Sequence, residues 1–513
     1  MNHRREDLSP LLICPCRIPN SRSITTCHAI SIALPLSQST IHHAGPRRHL
    51  AIPSVTCQHG YRDDDSSGML SDLPSDNIAE ILTRVPDAVS LFRCTVVCKR
   101  WRDIVSHPAF LRRRFGDLCP AGGGVPSLLG FFVQRHLVST SARSKVLRNT
   151  PSWAPIFVPA PGSALGPTRR FLTSFVVPGD GDDARMLDDA KPLVARDGLL
   201  LLRVLPRFRE NRAVLRLCVC DLLTGKRDLL PPIDDIAIFG GDGAIGYAVL
   251  RSAAAAGDAR RRPADGYSSL FRVLIVGVHN LDGRLYIGEV SSDADAPADP
   301  FWAAIGGELL VTNGRLRGCR RAAAAVGVGA ATWLFHGDGN DNVVPDDGHH
   351  EQNLHAILCV GTDTGRVCAS RLAPFVGDCS AWQLDVDGEG KFSLLIVGDR
   401  RLAILTDKDE DGHLAWRPIH GDGVHDSSNG DADRELSGME PVCVAEKSGA
   451  MLVLYRSDPD HAYLLDIHSG SRTMVAGGKR SLNYATAVPC EIDLVQFFMA
   501  RLGVQAAAAD PKA

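Results

Sequence analysis

From about residue 150 to residue 500 the chain alternates short aliphatic and β-branched runs with Gly, Asp, Asn and Pro, and almost no stretch has helical spacing. VLRLCVC (214–220), FRVLIVGV (271–278), LYIGEV (285–290), ATWLF (331–335), LHAILCV (354–360), FSLLIV (392–397), LAILT (402–406), MLVLY (451–455) and AYLLDI (462–467) are such runs. Strand signals at this density predict an all-β module. SLLIVGDRRLAILT reads as a hairpin around Gly398-Asp399, and LVLYRSDPDHAYLLDI as another around the SDPD turn.

A weak repeat runs through this region. CDLLTGKRDLLPP (220–232) and LDIHSGSRTMV (465–475) each place an Asp at a strand end, a Thr or Ser three residues on, and a Gly after it; VGTDTGRV (360–367) is a looser copy. The Asp can accept backbone N–H groups of a turn while Gly takes the positive φ that reverses the chain. Some 350 residues of such hairpins, at roughly 40–50 residues per four-stranded blade, predict a propeller of six or seven blades, with a non-propeller β fold as the alternative. Three low-complexity stretches, 253–266, 336–353 and 422–435, are too polar or Ala-rich to bury much and read as mobile loops.

Upstream the period changes. In SDNIAEILTRV, Ile78, Ile81, Leu82 and Val85 follow i, i+3, i+4, i+7, the spacing of one helix face, with Pro74-Ser75 at its start and Pro86 at its end. Asp87 is placed to cap a second helix through His107, in which Leu91, Cys94, Cys98, Trp101 and Val105 recur at steps of three and four. Cys98 stands directly before Lys99 and Arg100, a setting that can activate a thiol. Its place on the apolar stripe predicts packing instead.

Residues 8–62 hold no Asp or Glu and carry Arg17, Arg22, Arg47, Arg48 and Arg62. Residues 1–68 read as a disordered or mis-annotated extension, with Met69 as a natural start, or alternatively as a targeting peptide. The expected organisation is a helical unit at 69–115, a linker at 116–150, a β domain at 151–500 and a disordered tail at 501–513.

A net charge of −3 supplies no global attraction to nucleic acid or an anionic membrane, and no apolar run reaches membrane-spanning length. The 15 cysteines are odd in number and never form CxxC, and Cys218 and Cys220 share one strand face, so thiols of a cytoplasmic and/or nuclear protein are expected. Asp407, Asp409, Asp411 and Gly412 start like a calcium loop, but position 12 is Pro418. His336, His349, His350 and His355 lie in or beside a Gly-rich loop. No metal, no cofactor and no catalytic residue is expected, because no nucleophile, phosphate-binding or zinc motif is present.

The stretch 70–115 resembles an F-box: Leu73-Pro74 at its opening, Ile81-Leu82 and Arg84-Val85-Pro86 at the helix exit, Leu91, then Val97-Cys98-Lys99 with Trp101, and Ile104, Pro108 and Phe110 at its close. The β-rich remainder is similar to the associated domains of the large plant families of F-box proteins. The resemblance implies a small three-helix F-box followed by a large antiparallel β domain, acting as the substrate receptor of a Skp–cullin–F-box ubiquitin ligase and not itself an enzyme. The F-box would bind a Skp-type adaptor, and cullin through it, using Leu73, Pro74, Ile81, Leu82, Val85, Val97, Cys98 and Trp101, some of them also internal core. The β domain would hold the client protein. The alternatives are an F-box scaffold acting outside a ligase, and a propeller-type enzyme.

Overall fold

The structure, a computed structural model, describes residues 73–115, 127–135, 154–177 and, between 186 and 502, the strands, turns and helix named below. Four short helices open it: α1 (Ser75–Thr83), α2 (Ala88–Cys94), α3 (Lys99–Ser106) and α4 (Pro108–Phe115). The expected three-helix unit therefore has four. One break falls where Thr95, Val96 and Val97 succeed one another: β-branched residues are crowded on a helix, the Thr95 hydroxyl donates to the Phe92 carbonyl at 2.7 Å, and the three backbone N–H groups turn to carbonyls three residues back. The other falls at His107, held extended by the proline that follows it.

Among the described residues that follow, the strands form six antiparallel sheets. Blade one pairs β1 (Ser127–Arg135), β2 (Ile156–Pro159) and β3 (Arg170–Phe171) with the last strand, β26 (Leu482–Ile492). Blade two holds β4 (Lys191–Arg196), β5 (Leu199–Val204), β6 (Val214–Asp221) and β7 (Lys226–Leu229), with β8 (Ile233–Asp234) beside β6. Blade three runs β9 (Ile245–Arg251), β10 (Phe271–Val278), β11 (Leu285–Ser291) and β12 (Phe301–Ile305). Blade four has a divided first strand, β13 (Leu316–Arg317) and β14 (Ala325–Gly327), then β15 (Ala330–Gly337), β16 (His355–Gly361) and β17 (Val367–Leu372). Blade five, described by its backbone alone, is β18 (Cys379–Val386), β19 (Phe392–Gly398), β20 (Leu402–Lys408) and β21 (Leu414–Pro418). Blade six is β22 (Met439–Ala445), β23 (Ala450–Tyr455), β24 (Ala462–Asp466) and β25 (Arg472–Val475).

Consecutive blades pack on one another, and blade six packs on β26, so the ring closes as a propeller. Both expected hairpins form, β19 with β20 and β23 with β24. The three repeat copies occupy one place in their blades, the turn from third to fourth strand: β6–β7, β16–β17 and β24–β25. Asp221 Oδ1 accepts the Leu223 N–H at 2.9 Å and Asp466 Oδ1 accepts the Ser469 N–H at 2.9 Å, while Gly225 and Gly470 sit at φ 80° and 67°.

Alternate strand residues face different neighbours. On β5, Leu199 and Leu201 join the core shared with blade three, whereas Leu200 and Leu202 turn to blade one and the helices. Cys218 and Cys220 fall in the second set, buried side by side as thiols.

That second core contains most of the helical unit. Ile78, Leu82, Leu91, Val105 and Leu111 share it with Phe132, Phe157, Leu202 and Val488 of the propeller and with a fifth helix, α5 (Leu494–Leu502). Asp493 caps α5 by accepting the Val495 and Gln496 N–H groups, and Phe498 stacks against Phe92 and Phe115 at 5.9 and 5.4 Å between ring centres. Two expected boundaries are corrected here. The stretch 116–150 was expected to be a linker, but 127–135 within it is β1; and the helix crosses the boundary at 500, reaching Leu502. The low-complexity stretches lie mostly outside the described residues. The end of the first is anchored, with the Ala264 N–H bonded to the Ser292 carbonyl at 2.8 Å.

Phe498→Ala empties the centre of this shared core and should cost about 3–5 kcal/mol by large-to-small truncation. Denaturant titration of the full chain reads the loss; a cost within about 0.5 kcal/mol, typical of a surface substitution, would show that the helices do not depend on α5.

Candidate docking surface

The helical unit has one face sealed by the propeller and α5 and one face open. Asp87 caps α2 as its position predicts, accepting the Ser90 N–H and hydroxyl, each at 2.9 Å. Burial would raise its carboxyl, but the Ser90 bonds and nearby Arg170 bring it below its ordinary value. Ala88 donates its N–H to the Ala164 carbonyl at 2.7 Å, tying α2 to the connection between β2 and β3. Arg102 donates to the Leu502 carbonyl at 2.9 Å, and Arg501 of α5 donates to the carbonyls of Phe175 and, at 2.9 Å, Leu222. The helices are therefore fixed on the end of the propeller that carries the β6–β7 turn, against blades one and two.

The eight residues assigned to adaptor binding divide between the two faces. Leu82 is fully buried, and Leu73, Val85 and Trp101 are half-buried against the shared core. Pro74, Ile81, Val97 and Cys98 are exposed, Ile81 by 52% and Val97 by 65%. Ile81 thus leaves the apolar face of α1 that its spacing suggested, and Val96, absent from the expected set, is 78% exposed. Ile81, Val96 and Val97 are three large aliphatic side chains of one short unit left open to water, and each gains by being covered.

Cys98 corrects another expectation. Because the helix breaks before it, Cys98 is not on a packed stripe; it is the extended N-cap residue of α3 and its side chain is exposed.

Between α1 and α3 lies an open groove of about 790 Å³ lined by Ser75, Ala79, Arg100, Asp103, Ile104 and Phe110 among others. Arg100 spans it, donating to the Leu73 carbonyl at 2.5 Å and to the Ser75 hydroxyl at 3.1 Å. Glu80 accepts from Arg84 at 3.0 Å and from Arg113 at 3.4 Å on the same unit.

A second cluster of charge sits where the inner turns of the blades converge. Arg196 and Asp197, at the β4–β5 turn, pair with Glu446 and Lys447 at the β22–β23 turn; Lys447 Nζ is 2.5 Å from Asp197 Oδ1. The Glu491 carboxylate, on β26, accepts the Lys447 and Ser448 N–H groups at 3.0 and 2.7 Å. Arg251 reaches the buried Asp221 at 3.1 Å. Burial pushes the Glu446 carboxyl up to about 7 against the pull of Arg196, with Glu491 adding to the rise. Burial likewise raises Glu491, while for Asp197 the bond and charge of Lys447 outweigh burial and lower it. These groups pair with one another across blades one, two, three and six, which describes a fastening of the ring.

Among the described residues, no group of three or more His, Cys, Asp or Glu is placed to hold a metal, and no helix is long and apolar enough to cross a membrane. Asp409, Asp411 and Gly412 of the calcium-like loop, and His349 and His350, lie outside the described residues.

Residues 70–116 match the F-box-like family model. No curated protein matches the chain. Among solved structures, it is similar to the Hadza microbial sialidase Hz136, with 11% identity over 56% of this chain and 58% of that one, at a TM-score of 0.31. An α-L-arabinanase of Penicillium chrysogenum complexed with arabinobiose shares 10% identity over 68% and 86%, at 0.30. The WD40 domain of SCAP from fission yeast shares 7% over 59% and 57%, at 0.27. The chain spans less than two thirds of the sialidase and of the WD40 domain it matches.

The charge cluster has a defined pH signature. Glu446 holds its proton in the folded chain up to about 7, whereas its ordinary value is 4.5. The stability tied to it is therefore complete below about 4.5 and is lost progressively as pH rises from there to about 7, by roughly 3 kcal/mol. Denaturant midpoints measured from pH 5 to 8 should fall less steeply for Glu446→Gln than for the parent chain, and parallel profiles would remove Glu446 from this role.

Proposed function

We propose that this protein is a substrate receptor of a Skp–cullin–F-box ubiquitin ligase, acting in the cytoplasm and/or nucleus. Its helical unit takes the Skp-type adaptor through Pro74, Ile81, Val97 and Cys98, joined by Val96. Of the other four residues first assigned to that role, Leu82 serves the internal core, and Leu73, Val85 and Trp101 support the surface from beneath. The propeller captures the client protein, and the receptor supplies proximity and orientation while the bond-making chemistry belongs to other subunits.

The observation that carries this reading is the open apolar surface of Ile81, Val96 and Val97 on a unit that matches the F-box-like family and whose opposite face is already sealed. The client would be taken at the propeller end away from the helices, opposite the adaptor.

The test is co-purification of the full chain with a Skp-type adaptor, with Ile81→Asp and Val97→Asp introduced together. Both positions are exposed, so thermal stability should stay near that of the parent. Adaptor affinity should drop at least about tenfold, or about 1.4 kcal/mol. Undiminished binding would overturn the assigned surface. Adaptor binding without cullin recruitment or a ubiquitinated client would point to a scaffold acting outside a ligase.

A further inference from the structure

Blade four carries a row of residues in direct register across three strands: Thr332 on β15 faces Cys359 on β16, which faces Cys368 on β17. The Thr332 hydroxyl contacts Cys359 Sγ at 3.5 Å. Leu358 and Val360, on either side of Cys359, are buried in the core shared with blade three, so the two thiols share the opposite face. Both are half-buried, unlike the fully buried Cys218 and Cys220. Cysteines directly opposed on antiparallel strands have Cα atoms about 4.5–5.5 Å apart, inside the range a disulfide spans.

We propose that Cys359 and Cys368 form a reversible thiol–disulfide modification site that fastens the outer strand of blade four. The oxidant is a low-molecular-weight disulfide of the glutathione class. One thiolate attacks it and releases one thiol; the second cysteine attacks the mixed disulfide and releases the other. The balance is two protein thiols and one RS–SR giving one protein disulfide and two RSH, with the two electrons passing to the reagent. The site sits beside the turn that joins the two strands, where the Gly361 N–H bonds to the Arg366 carbonyl at 2.7 Å and Arg272 of blade three donates to the Thr362 carbonyl at 2.6 Å. A bond between β16 and β17 would hold that turn closed against blade three.

Arg366 lies between the two cysteines and makes the test direct. The native full chain is treated with oxidised glutathione, alkylated, and cut with trypsin without reduction. Trypsin separates the peptide ending at Arg366 from VCASR (367–371), so the two stay joined only through Cys359–Cys368. The expected result is that joined pair, lost on treatment with dithiothreitol, and replaced by a glutathione adduct on Cys368 in Cys359→Ser. Amide exchange across 361–367 should slow at least about tenfold on oxidation. If both cysteines are recovered alkylated or separately glutathionylated while exposed Cys98 has reacted, the site is refuted; a joined pair with unchanged exchange refutes the fastening of the turn.

Discussion

The pairing of β1 with β26 is the interaction on which the rest depends. It joins strands from opposite ends of the propeller, Phe131 facing Pro489 and Phe132 facing Val488, and turns a row of sheets into a ring. Because the helical unit precedes β1 and α5 follows β26, the same pairing brings α5 to the helices. Phe498 reaches Phe92 and Phe115 as a consequence of closure. A unit of four helices with seven to nine residues each cannot bury Ile78, Leu82, Leu91, Val105 and Leu111 by itself, and the ring supplies the missing wall.

The wall exists because blades such as two and three are buried on both faces. Strands such as β5 and β10 read as unbroken apolar runs, since odd and even positions enter different inter-blade cores: Val273 and Ile275 face blade two, Leu274 and Val276 face blade four. The inner strand of each blade still has one unpaired edge. Pro192 in β4, Pro441 in β22 and Pro489 in β26 lie on such strands, where a missing N–H is tolerated.

Much of this was legible. The density of apolar runs predicted the β fold, and the Asp–Thr/Ser–Gly spacing marked equivalent turns because a local hydrogen bond and one positive φ suffice to write that turn into sequence. What escaped was decided by tertiary burial. β1 was hidden because SLLGFFVQR has no alternation to announce it, being buried on both faces. α5 was missed although Asp493 followed by Leu494, Phe498 and Leu502 is a capped helix with one apolar stripe; it lay at the end of a region read throughout as strands. At the docking surface, spacing put Ile81 and Cys98 on buried stripes. Three β-branched or Thr-type residues in succession ended the helix early, and the register beyond the break belonged to a different helix.

The shared core also limits how the helices and the propeller can move against one another. Removing residues 73–115 would strip Phe92 and Phe115 from Phe498 and take the helical side chains out of the shared core, so the helices and the propeller are not modules joined by a flexible tether. Arg102 to Leu502, Ala88 to Ala164 and Arg501 to Leu222 add directional bonds to that apolar contact, and each joins a different pair of elements. A partner docked on Ile81 and Val97 is thereby held in fixed orientation to the propeller axis. For a protein whose proposed role is to present one bound chain to another, orientation is the contribution its fold can make without any catalytic group. The energy that secures it is the same burial that makes the helices fold.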